Sequence, residues 1–83
     1  MTGDLQARNA QRQAFLRSLY ERVDSSVTEF VSAFEIGEGM GLSRTESSLI
    51  VAYLEEKGLL KVDDHASGMC RLTADGVDRV ELG

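Results

Sequence analysis

The chain has 83 residues, 42% of them hydrophobic and 28% charged, with a formal net charge of −5, one cysteine and no proline. A chain of that length holds one core, and without disulfides it has to pack that core efficiently. No apolar run approaches the roughly 18 residues of a membrane span, the amino terminus is polar rather than signal-like, and the lone Cys70 excludes an internal disulfide, so one cytoplasmic domain over residues 1–83 is expected.

A first helix is predicted over residues 4–23, and its two halves differ. From Phe15 onward, Phe15, Leu16, Leu19, Tyr20 and Val23 fall on one apolar face, whereas LQARNAQRQA before it offers only Leu5 and scattered alanines. Residues 1–14 therefore have little to bury within one chain, and are expected either to fray or to pack against a second copy as a homodimer. Val27, Thr28, Glu29 and Phe30 suit a short strand that joins a sheet as its third member. Ser32 and Glu35 then have the spacing of a capping box, in which hydroxyl and carboxylate satisfy two orphan amides at a helix start. Gly41 sits where that helix must stop, since the chain needs a left-handed residue there.

Ser43 and Glu46 repeat the capping-box spacing, so a further helix begins at about Arg44. Leu49, Ile50, Tyr53 and Leu54 make its inward stripe, leaving Arg44, Thr45, Ser47, Ser48, Val51 and Glu55 off it. Gly58 ends this helix. Leu59, Leu60 and Val62 suit a strand, Asp63 to Gly68 carry turn chemistry, and Met69 to Leu72 return as the antiparallel partner. Thr73 is the N-cap of a last helix from about Ala74 to Leu82, with Asp75 near its positive end. Phe30, Phe34, Ile36, Met40 and Leu42 complete the expected core. The fold class is α+β and mostly helical.

Three segments, EIGEGMGLS at 35–43, VAYLEEKGLLK at 51–61 and RLTADG at 71–76, resemble the winged helix-turn-helix domains of prokaryotic transcription regulators, including multiple-antibiotic-resistance-type repressors. The resemblance covers residues 15–82 and implies a three-helix core, a β-hairpin wing and a short C-terminal helix. It implies in turn a DNA-binding transcriptional regulator, with residues 43–57 as the recognition helix in the major groove and residues 59–72 as the wing. Ser43, Arg44, Thr45, Ser47, Ser48, Lys57, Lys61 and Arg71 are the residues expected at the DNA. Arg44 suits bidentate reading of guanine, and the hydroxyls suit phosphates or base edges.

Charge speaks against this partner. Arg8, Arg12, Arg17 and Arg22 outweigh Asp4 and Glu21 over residues 1–22 by two, but the remaining five cations face twelve carboxylates, and the sequence pI is about 4.7. Nucleic-acid affinity comes largely from neutralised phosphates. The wing tip is Asp63, Asp64 and His65, where two carboxylates repel a phosphate backbone. The alternative is therefore a winged-helix module that binds a protein rather than double-stranded DNA. Val51, expected on the outer face, suits either a protein contact or a thymine methyl.

Other chemistry finds little footing. Gly37, Gly39 and Gly41 do not match G-x-G-x-x-G, because position 42 is Leu42, and Gly37 is better read as a site of close helix approach. One histidine and one cysteine, with no triad or carboxylate pair, argue against an enzyme. Asp63, Asp64 and His65 are adjacent in the chain and cannot easily surround a metal ion. Cys70 is expected to pack inward beside Leu72, and no cofactor is implied.

Overall fold

The computed structural model describes residues 2–83, with side chains from Asp4 onward. Among the described residues the chain forms four α-helices and one three-stranded antiparallel sheet, a mostly helical α+β arrangement. In chain order these are α1 (Thr2–Arg22), β1 (Val31–Ser32), α2 (Ala33–Gly39), α3 (Arg44–Glu56), β2 (Leu60–Asp64), β3 (Met69–Leu72) and α4 (Ala74–Leu82).

Helix α1 runs unbroken through both halves of the predicted helix. Its C-terminal half lays Phe15, Leu16 and Leu19 into the core, joined by Val23 just past its end, each no more than 2% exposed, while Leu5 in the other half stays 58% exposed. The helix ends where Asp24 and Ser25 take positive φ values of 52° and 62°, a conformation that turns the chain out of the helical path. The Ser26 hydroxyl then accepts from the amides of Thr28 and Glu29 at 3.1 Å each. That local turn replaces the strand expected at Val27 to Phe30. A third strand does join the sheet, but it starts at Val31, which pairs with Cys70 while Ser32 pairs with Met69. Phe30 is left 50% exposed instead of entering the core.

The two expected capping boxes part company. At the start of α2, Ser32 makes no side-chain cap. Its hydroxyl donates to the Ser67 carbonyl at 3.3 Å, and the Glu35 carboxylate accepts from Arg22 at 3.2 Å. At the start of α3 the box is complete: the Glu46 amide donates to Ser43 Oγ at 3.1 Å and the Ser43 amide to Glu46 Oε1 at 2.9 Å. Between the helices Gly41 has φ +78°, which lets the chain reverse within a few residues.

Helix α3 is rotated from the expected stripe. Its buried residues are Ser47, Ile50, Val51 and Leu54, an i, i+3, i+4, i+7 set, whereas Leu49 is 68% exposed. The cause is the crossing with α2. Gly37 lies so close to α3 that a Cβ there would overlap Ser47 Oγ, so this position admits only a small residue, and Leu49 does not fit. Ser47 is 1% exposed and its hydroxyl has no hydrogen-bond partner, a desolvation cost of roughly 1–3 kcal/mol. The close approach that Gly37 permits stands as expected.

The sheet has the order β1-β3-β2, with Leu60 opposite Leu72, Lys61 opposite Arg71 and Val62 opposite Cys70. Leu60, Cys70 and Leu72 are at most 1% exposed and close the core against α1, α2 and α3. An irregularity between Val62 and Asp64 displaces Asp63 from regular pairing. Thr73 caps α4 as expected, accepting from the Gly76 amide at 3.0 Å, and the Tyr20 hydroxyl donates to Glu81 at 2.8 Å, tying α4 to α1. No helix among the described residues is long and apolar enough to cross a membrane.

Candidate nucleic-acid interface

The outer side of α3 follows from its rotation. With Ser47, Ile50, Val51 and Leu54 inside, the exposed positions are Arg44, Thr45, Glu46, Ser48, Leu49, Ala52 and Glu56. Ser43 is exposed at the cap. The Glu46 carboxylate folds back onto the Ser43 amide, and that bond together with the Ser43 hydroxyl holds it below its ordinary pKa, so it is ionised but turned onto the helix end. Arg44 lies across the ring of Phe34, its guanidinium carbon 4.1 Å from the ring centre, in a stacked cation–π contact. Such stacking uses one face of the guanidinium and leaves its edge donors free for a ligand.

Ser43, Arg44, Thr45 and Ser48 therefore form one exposed patch of donors. The other expected site residues do not join it. Ser47 is buried against Gly37 and cannot reach a ligand, and Val51, 8% exposed, is not an outer-face contact. Lys57 is the C-cap of α3, with its Nζ 5.6 Å from the centre of the Tyr53 ring, at the far end of the helix from Arg44. Lys61 is exposed on β2 opposite Arg71. Arg71 is already engaged: its Nε lies 3.9 Å from Asp63 Oδ2 and its Nη1 donates to the Val27 carbonyl at 3.3 Å.

The hairpin beside this patch is acidic and ordered by its own acids. Asp64 accepts from the Ala66 amide at 3.1 Å and from the Ser67 hydroxyl at 2.9 Å. The Ser67 bond, then the Ala66 amide, depresses its pKa, so the tip carries a full negative charge at neutral pH. Glu55 on α3 accepts from the Val62 amide at 3.1 Å and lies 3.6 Å from His65 Nε2. Between α3 and the hairpin is a cleft of about 70 Å³ lined by Phe34, Ser48, Val51, Ala52 and Val62. That is far below the roughly 300 Å³ of an ordinary small-molecule site. Cys70 is fully buried, donates to the Val31 carbonyl at 3.5 Å, and is pushed up to about 11 by burial, with Asp63 and Glu55 adding to the shift. A thiol so placed is protonated and shielded at neutral pH.

Sequence reasoning missed Phe34 as the platform for Arg44, and Leu49 and Ala52 as exposed apolar residues of α3. The available signal was Gly37: read as a close crossing, it calls for a small residue on the facing helix, and Ser47 is that residue. Set against known proteins, the chain matches no family model, no curated protein and no solved structure.

Proposed function

We propose that this chain is a winged helix-turn-helix domain that binds duplex DNA with the first turns of α3 and acts as a transcriptional regulator. The observation that carries the reading is the patch of Ser43, Arg44, Thr45 and Ser48, which stands at the exposed, positive end of α3 beside a hairpin and whose one carboxylate, Glu46, is turned onto the Ser43 amide. In this reading α2, the turn at Gly41 and α3 are the helix-turn-helix, and β2 with β3 is the wing. Arg44 reads a base edge or a phosphate, the three hydroxyls accept or donate beside it, and Ala52 meets an apolar base edge such as the thymine methyl. Neither Ser47 nor Arg71 takes part. The surface is poor in cations, so affinity is modest and the salt slope shallow, each phosphate contact adding about 0.9 to it.

The test is an amide-shift titration with random-sequence duplex at low salt. Shifts along Ser43 to Ser48, and a loss of roughly 5- to 100-fold in affinity for Arg44→Ala, support the reading. Replacing Asp63 and Asp64 by asparagine removes like charge near the backbone and raises non-specific binding. A titration that leaves α3 unmoved with every duplex overturns it.

A second reading, a winged-helix protein-binding module, is favoured by one observation: the hairpin tip is acidic, and its nearest arginine, Arg71, lies against Asp63. A protein that shifts α3 or the hairpin where duplex DNA does not would establish that module.

A further inference from the structure

The opposite flank of α3 has a different character, and it does not depend on the DNA reading. There α1 and α3 enclose a groove of about 530 Å³, walled by Arg8 and Arg12 from α1 and by Glu46, Leu49, Ile50 and Tyr53 from α3. It shares no lining residue with the cleft on the hairpin side. α1 overhangs the core here, because its inward stripe continues past Phe15 to Arg12, Arg8 and Leu5 at i, i+4 and i+7 spacing. The exposed Leu5 and Leu49 supply apolar surface at two points along this flank.

We infer that this groove docks an acidic amphipathic segment of a partner protein. The rim is cationic in a chain that is acidic elsewhere. Arg8 and Arg12 form no ion pair among the described residues, and Glu46, the one carboxylate on the wall, is turned onto the Ser43 amide. Arg12 is pre-oriented: its guanidinium carbon lies 3.6 Å from the centre of the Tyr53 ring and its Nη1 donates to Asn9 at 3.4 Å. A guanidinium held flat on a ring presents its remaining edge to a carboxylate. The floor of Leu49, Ile50 and Tyr53 asks for an apolar anchor flanked by those carboxylates, the pattern of a helix laid in a groove. A second copy of this chain is a poorer occupant, since antiparallel pairing of two α1 overhangs sets Arg8 and Arg12 against their own counterparts. Duplex DNA offers the negative charge without the apolar anchor.

The experiment pans a random-peptide display library against the full chain and maps the enriched peptides by amide shifts. The expected result is enrichment of peptides with Asp or Glu around a leucine or aromatic residue, shifting Arg8, Arg12, Leu49 and Tyr53. Arg8→Glu should weaken the best peptide about tenfold or more, with a smaller effect at high salt. Arg8→Glu leaves the Arg12–Tyr53 stack in place, and a wild-type amide spectrum confirms that the variant folds. Leu49→Ser, at an exposed position, should weaken the same peptide. Enriched peptides that are neutral or basic, or that map elsewhere, overturn the proposal, as does the absence of any enrichment. So does a concentration-dependent dimer that shifts these same residues, or a duplex that shifts them in place of the hairpin-side patch.

Discussion

The starts of α2 and α3 carry the same signal, serine followed three residues later by glutamate, and only one of them becomes a cap. Ser43 lies in a free turn, where its hydroxyl and the Glu46 carboxylate have no better partners than each other's backbone amides. Ser32 is already a residue of β1, so its hydroxyl turns to the hairpin at Ser67, and Glu35 turns to Arg22. A local motif states which bonds a segment can make alone; pairing with a distant strand replaces them when that pairing is available. One helix is therefore held at its end by its own residues, the other by the sheet it follows.

The largest expected effect tests the orientation of α3 on which this contrast rests. Leu54→Ala, at a side chain 2% exposed, should cost about 2–5 kcal/mol, while Leu49→Ala should change stability by less than about 0.5 kcal/mol. Urea midpoints of the two variants check this, and equal losses would return α3 to the orientation expected from its leucine spacing. Next comes the crossing of the two helices. Gly37→Ala should destabilise by about 1–3 kcal/mol, because its new methyl meets Ser47 Oγ, and Ser47→Ala should recover part of that loss while stabilising the parent chain by removing an unpartnered hydroxyl. A double-mutant cycle with no coupling would separate the two residues.

The caps themselves should differ by less. Ser43→Ala is expected to cost about 1 kcal/mol and Ser32→Ala only a few tenths, measured by chemical denaturation. Equal losses would erase the contrast. The smallest effect is in pH. The Glu46 carboxyl is held below its ordinary value by the Ser43 amide and hydroxyl, so its contribution is present above the ordinary carboxylate range and fades as pH falls through its lowered folded value. Asp64, lowered by Ser67 and the Ala66 amide, acts in the same direction. Denaturation midpoints followed down in pH should show a shallower acid decline for Glu46→Gln than for the parent.

Order and type of the helices and the hairpin were readable along the chain, because Gly41, Ser43, Thr73 and the hairpin turn act through neighbours in sequence. What escaped was set by contacts between distant segments. The rotation of α3 depends on how close Gly37 lets α2 come, and a serine at the contact looks like a surface residue until that distance is known. The candidate patch was half legible for the same reason. Ser43, Arg44, Thr45 and Ser48 were named from helix position alone, whereas the burial of Ser47, the tie between Arg71 and Asp63, and the seat of Arg44 on Phe34 come from packing across elements.

The middle strand of the sheet is β3, the last strand to occur in the chain. Neither β1 nor β2 touches the other, so each waits for β3 before it has any ladder at all. The hairpin brings β2 and β3 together through a four-residue turn, whereas the contact of Val31 with Cys70 closes a span of 39 residues. Closing the longer span costs more chain entropy, and that cost has to be met before the new contacts return anything. Pairing of β1 with β3 is thus the long-range step of sheet formation, and the chain it closes is α2, α3 and β2.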